Sequence, residues 1–236
     1  MNAGLLCQQT LDCLIKFVLY IIPCVAVLLL CYFVLKIKKY IFRKLLHLVA
    51  FSCVTLMIEV AESWQAAAAA SLVIVIVVYP LLSAFEKAPM YSSLFVEKSK
   101  GEVKRSLVML FGMFAVLTAA SWGVFGKRII GEAAILMWGF GDAAAALVGI
   151  PFGKHKVRCR LTDGKKSYEG TCAMLAASFA AGFIFLSMRV NMLPAMLVLP
   201  VLAAAVPGAL TELFSPSEWD TVTVPAVILA VLLILL

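Results

Sequence analysis

The sequence predicts an all-α, polytopic membrane helix bundle of about seven or eight transmembrane helices with no soluble domain. Three observations predict it. Of 236 residues 64% are hydrophobic and the mean hydropathy is +1.06, far more apolar surface than a water-soluble chain of this length can hide. Long apolar runs such as the one from Ala66 to Leu82 lack the period-two alternation of barrel strands, so helices must satisfy the backbone in lipid. The basic residues gather in short segments between those runs, as the positive-inside bias requires of a polytopic protein.

Eight spans follow in order, at about 14–35, 45–61, 64–85, 106–125, 131–150, 170–188, 192–211 and 222–236. The first lacks the charged n-region and small-residue cleavage site of a signal peptide, so it is read as a span. The third opens on Ala66–Ala70 and the fifth holds Ala143–Ala146; small residues of this kind let helices pack closely in lipid. The sixth is opened by Ser167, a residue type suited to an N-cap. The eighth is the shortest relative to the roughly 20 residues that cross a bilayer.

Four loops, at about 36–44, 86–105, 151–170 and 212–221, fall on one side when eight spans are counted. The first holds Lys36, Lys38, Lys39, Arg43 and Lys44, and the second Lys87, Lys98, Lys100, Lys104 and Arg105. The third holds Lys154, Lys156, Arg158, Arg160, Lys165 and Lys166. Together they carry sixteen of the 20 Lys and Arg residues, which places this side in the cytoplasm and both termini opposite. The fourth loop is acidic, with Glu212, Glu218 and Asp220. The net charge of +7 is accounted for by these loops, and no nucleic-acid partner is implied. The seven cysteines form neither a CxxC pair nor a Cys/His ligand spacing and read as small hydrophobes. Without a linker, low-complexity tail or clear repeat, residues 1–236 read as one integral-membrane domain.

The chemistry concentrates between Trp138 and Thr171. Asp142 is a lone carboxylate in an apolar, Ala-rich segment, which costs free energy unless a cation, partner or water meets it. Its functional reading is a Mg²⁺ ligand, since this hard cation takes carboxylate oxygens and keeps phosphates as further ligands; the alternative is a pair with a lysine from a neighbouring helix. Gly141 and Gly153 let backbone approach a ligand or another helix. Lys154, Lys165 and Lys166 are suited to phosphate, and the helix start at Ser167, Glu169, Gly170 and Thr171 offers free N–H groups to an anion. The competing reading assigns the lysines to topology and anionic lipid. Glu169 reads as a second metal ligand or a lysine's partner. The Walker A pattern GxxxxGK[ST] is absent. In the second span Arg43 and His47, at i and i+4, share a helix face; His47 reads as a general base or phosphate donor.

These segments resemble the CTP-dependent polyprenol kinases, the family of dolichol kinase, phytol kinase and the CTP-using diacylglycerol kinase, related to phosphatidate cytidylyltransferase. The matching residues are Arg43-Lys44-x-x-His47, the run from Gly141-Asp142 through Gly153-Lys154 to Lys166-Ser167-x-Glu169-Gly170-Thr171, and the segment from Glu212 to Pro225. The resemblance implies transfer of the γ-phosphoryl group of CTP to a lipid alcohol, with Mg²⁺ as cofactor. It implies Asp142, His47 and Glu212 as catalytic residues, Asp142 and Glu169 at the metal, and Arg43, Lys44, Gly141, Gly153, Lys154, Lys165, Lys166, Ser167, Glu169, Gly170 and Thr171 around the nucleotide. One departure stands out: the family shows Asp-Asn where this chain has Asp220 followed by Thr221.

The expected partners are CTP, a lipid alcohol (polyprenol, phytol or diacylglycerol) and membrane lipids. The expected place is the bacterial inner membrane, or the endoplasmic reticulum membrane in a eukaryote, with the active site facing the cytoplasm. The alternative activity is cytidylyl transfer to phosphatidate. A transporter using Asp142 as an ion site would call for paired broken helices, which the sequence does not show. Neither the acceptor alcohol nor the oligomeric state is written in the sequence.

Overall fold

The computed structural model describes residues 2–87, 91, 94, 101–157, 164, 166–216 and 219–236. Among these are eight α-helices: α1 Ala3–Val34, α2 Lys39–Glu59, α3 Trp64–Phe85, α4 Glu102–Thr118, α5 Arg128–Phe152, α6 Tyr168–Arg189, α7 Pro194–Phe214 and α8 Asp220–Leu235. A π-helical turn, Ala119–Val124, continues α4. Among the described residues the β-structure is one antiparallel bridge, Lys156 with Ser167. Seven helices, α4 counted with its π-helical turn, are long and apolar enough to cross a membrane; α8, with 16 residues, is shorter. The chain is an integral membrane protein.

Several boundaries differ from the sequence-based ones for local reasons. The first helix starts at Ala3, where the Asn2 side chain accepts the Gly4 N–H, not near 14. Its early polar residues are absorbed: Lys16 pairs with Asp12 one turn away at 2.6 Å, and Gln9 donates to Glu62 at 2.8 Å. The second begins at Lys39, so the loop expected over 36–44 is mostly helix, and Arg43, Lys44 and His47 are helical throughout. The acidic loop expected over 212–221 is shorter, because α7 runs to Phe214 and α8 starts at Asp220. The basic loop expected from 151 to 170 is trimmed at both ends, where α5 reaches Phe152 and α6 opens at Tyr168.

Contacts divide the chain into two compact units, residues 1–119 and 120–236. In the first, α3 packs against α1 and α4, and its Ala66, Ala67 and Ala70 are fully buried; small side chains let backbones approach where lipid supplies no hydrophobic drive. Phe17, Phe51, Phe111 and Phe114 form its aromatic core, while Leu19, Ile22 and Leu30 of α1 are exposed, as lipid-facing positions are. In the second unit α5 packs along α6, α6 along α7, and α8 against α7 and α5. A Cβ on Gly141 would lie 2.6 Å from Ser178 Oγ, and one on Gly182 would lie 2.5 Å from Met137 Sδ, so glycine sets the spacing of α5 and α6. The Ser178 hydroxyl donates to the Met137 carbonyl at 2.5 Å across that seam.

Candidate functional site

The site in the second unit begins with a closed neck between α5 and α6. Helix α5 ends where the Gly153 N–H donates to the Gly149 carbonyl at 3.2 Å. A side chain at 153 would meet that carbonyl and lie 2.5 Å from Ser167 Oγ, so only glycine lets the strands of the neck approach. The Val157 N–H donates to the Lys166 carbonyl at 2.9 Å and the Tyr168 N–H to the His155 carbonyl at 3.2 Å. The Ser167 hydroxyl, buried, accepts the Gly170 N–H at 3.2 Å; it is the N-cap the sequence predicts. Thr171 Oγ1 donates to the Ser167 carbonyl at 3.1 Å. A Cβ on Gly170 would lie 3.0 Å from the Ala145 carbonyl, so Gly170, like Gly141 and Gly153, packs α6 against α5.

Glu169 has a specific partner. Its carboxylate accepts the His155 backbone N–H at 3.1 and 3.3 Å and lies 2.7 Å from His155 Nδ1. Among the described residues the Glu169 side chain thus meets His155, a contact that bridges the two sides of the neck. Lys154 is exposed beside it. Lys165, Arg158, Arg160 and Glu218 lie outside the described residues.

Lys166 turns inward. Its ammonium donates to the Glu212 carbonyl oxygen, lies 3.1 Å from Glu212 Oε1 and 3.1 Å from Asp220 Oδ2. Only 12% of the Lys166 side chain and 13% of that of Glu212 is exposed, which makes this a shielded contact and not a surface pair. The last turn of α7 and the first residue of α8 are thereby tied to the neck. The charges of Asp142, on α5, and of Asp220 both act on the Glu212 carboxylate. The second unit thus gathers carboxylates from α7 and α8 around one lysine.

No group of three His, Cys, Asp or Glu side chains forms a ready metal cage among the described residues. Mg²⁺ seldom needs one, since it is usually held by one or two carboxylates together with substrate phosphates. The donor set fits that mode: hard carboxylate oxygens of Glu212 and Asp220 already converge on a single cation, the Lys166 ammonium.

The first unit holds the other predicted residues. Arg43 Nη1 lies 2.8 Å from Glu102 Oε1, joining α2 to the first turn of α4. Arg43 and His47 line one apolar cavity, as their i, i+4 spacing implies; Lys44 is half-buried next to them in the helix.

Sequence reasoning missed two carboxylates. Asp220 stood aside because Thr221 follows it, yet it bonds Lys166 directly; the available signal was charge complementarity between an acidic and a basic loop assigned to the same side. Glu102 lies among the basic residues of the expected 86–105 loop, yet it is buried against Arg43, and nothing in its local sequence marks that.

Helices built for lipid and a shielded cluster of carboxylates and lysine at their ends define an integral membrane protein with a charged site. Over 102 residues the chain is 37% identical to a phytol kinase of Synechocystis sp., a stretch covering 42% of each protein. The chain therefore matches about two fifths of that relative's length. Over that stretch the similarity supports the polyprenol and phytol kinase resemblance carried by the sequence motifs. No protein-family model and no solved structure matches the chain.

Proposed function

We propose that this protein is a lipid kinase that transfers the γ-phosphoryl group of CTP to a lipid alcohol such as phytol, a polyprenol or diacylglycerol. The observation that carries the reading is the Lys166 cluster, in which a basic neck meets Glu212 and Asp220 at 3.1 Å in a chain similar to a phytol kinase. Phosphoryl transfer asks chiefly for positioning and charge neutralisation. Cations of the neck (Lys154, Lys165, Lys166) meet the triphosphate in this reading, while Asp142, Glu212 and Asp220 supply oxygen ligands for Mg²⁺. When bound, that ion neutralises charge on the transferring phosphate. The acceptor oxygen forms a bond to the γ-phosphorus, the bond from that phosphorus to the β–γ bridging oxygen breaks, and CDP leaves. The resemblance gives the alcohol's proton to His47.

Purified protein in vesicles, supplied with Mg²⁺ and CTP labelled at the γ position, tests the reading. Label is expected on phytol, a polyprenol or diacylglycerol. Label released as pyrophosphate with phosphatidate as acceptor would make the enzyme a cytidylyltransferase instead. Asp142→Asn is expected to lower lipid phosphorylation about a hundredfold or more, since a metal's neutralising charge contributes several kcal/mol. Undiminished activity in Asp142→Asn would remove that residue from the metal.

A further inference from the structure

We infer that the first unit holds the apolar chain of one lipid alcohol in the cavity among α1, α2, α3 and α4, with the alcohol's polar head at Arg43 and His47. The cavity measures about 200 Å³, more than the roughly 150 Å³ that admits benzene in a void lined by Leu, Ile and Phe.

Its two ends differ. Arg43, His47 and Ser106 belong to the N-terminal turns of α2 and α4, which the 2.8 Å Arg43–Glu102 pair holds at one level. The end of α3 joins that level, because Lys104 of α4 pairs with Glu86 just past α3 at 2.8 Å. Ala50, Ile74, Leu110 and Phe111 line the cavity further in: at 1.5 Å per residue Ala50 lies about 10 Å beyond Arg43, and Leu110 about 6 Å beyond Ser106. Polar groups therefore border one end and hydrocarbon the other.

Aromatic rings stand behind the deep end. Phe17 and Phe111, both lining residues, meet edge to face at 6.0 Å between centroids. Phe111 then contacts Phe114 at 5.4 Å, and Phe114 contacts Phe51 at 5.1 Å. Phe51 and Phe114 are almost wholly buried, so this floor has packed neighbours behind it.

A rim with charge and an apolar interior complement an amphipathic molecule with one tail. A guanidinium carries five N–H donors, more than the Glu102 carboxylate engages, so Arg43 has donors to offer a hydroxyl. In lipid, moving a chain from bilayer to cavity gains little hydrophobic free energy. Selection must then come from the head at the rim and from the fit of the tail against the floor. The floor consequently sets the chain length that fits. In taking the occupant for the acceptor alcohol, the inference rests on the proposed kinase reading; in assigning the cavity a chain, it does not.

The test uses the full chain in phosphatidylcholine nanodiscs and a long-chain alcohol bearing a diazirine at its tail. Photolabel is expected on residues 107–111, and cavity-filling Ala50→Leu and Ile74→Phe should each lower it about tenfold by steric overlap with the tail. Two filling variants on different helices guard against one that fails to fold, and Gly112→Ala, where an added methyl meets nothing within 4 Å, is the unaffected control. Phe111→Ala should shift the best-labelling alcohol to a longer chain. Labelling elsewhere, or indifference to both filling variants, overturns the inference. Equal labelling by a diazirine phosphatidylcholine also overturns it, because the cavity then holds bulk lipid. If no lipid is phosphorylated while labelling stays sensitive to filling, the kinase reading falls and the cavity stands. If Ala50→Leu phosphorylates lipid with an unchanged acceptor KM, the cavity is not the acceptor's.

Discussion

The two units handle charge in different ways. In the first, ion pairs at the helix ends bridge neighbouring helices, Arg43 to Glu102 and Lys104 to Glu86, and Arg43 borders an apolar cavity. In the second, one ammonium serves two carboxylates and a backbone carbonyl. A bridge built on a single carboxylate joins helices. A lysine shared between two carboxylates leaves oxygen donors in surplus, which is the condition a metal and its phosphates exploit.

Removing each cation breaks that comparison most directly. Lys166→Met leaves Glu212 and Asp220 facing each other with little water, and a charge stranded in that way costs about 3 kcal/mol. Arg43→Met removes the cation from a single carboxylate, Glu102, which keeps a further interaction, and a smaller loss of about 1 kcal/mol, the usual net worth of one such contact, is expected. Thermal unfolding in detergent reads both; equal losses would mean that the shared lysine is no different from an ordinary pair.

How much of this was legible in the sequence follows from the range of each interaction. The spans could be read because a bilayer demands long apolar helices, and Ser167 could be read as a cap because its bond reaches only to Gly170. Asp142 stood out because a carboxylate inside an apolar run is anomalous by itself. The bonds of Lys166 were not legible: its partners are 46 and 54 residues away, and the same lysine reads equally well as a phosphate ligand until the helices are packed. The His155–Glu169 contact spans 14 residues and depends on the neck closing. The early start of α1 was hidden because Gln9, Asp12 and Lys16 look like an aqueous tail until their partners are seen.

The glycines sharpen the contrast at smaller magnitude. Gly153→Ala forces a methyl against the Gly149 carbonyl and Ser167 Oγ, an overpacking expected to cost about 2 kcal/mol. In the first unit Gly112→Ala meets open space within α4 and should stabilise by up to about 1 kcal/mol through helix propensity. Opposite signs in the same unfolding assay would show that glycine is required at the neck and merely tolerated in α4. Equal and neutral effects would mean that the neck yields to a methyl group.

The helix caps give the smallest contrast and the one closest to function. Ser63 caps α3 by accepting the Ala66 N–H at 3.4 Å, and Ser167 caps α6 at 3.2 Å while packed against Gly153. Each Ser→Ala change should cost about 1 kcal/mol, the usual worth of such a cap, with the larger loss at the tighter Ser167. The Ser167 side chain is buried against Gly149, Gly153 and Gly170, which shields its O–H from an arriving phosphate, and the anion-binding capacity of this helix start would rest on backbone N–H groups. Ser167→Ala should therefore lower the Tm and leave the KM for CTP within about twofold, since a cap bond stabilises the fold in free and bound protein alike. A KM raised about tenfold, equivalent to 1.4 kcal/mol of binding, with an unchanged Tm would instead assign the hydroxyl to the nucleotide and give the cap to the backbone alone.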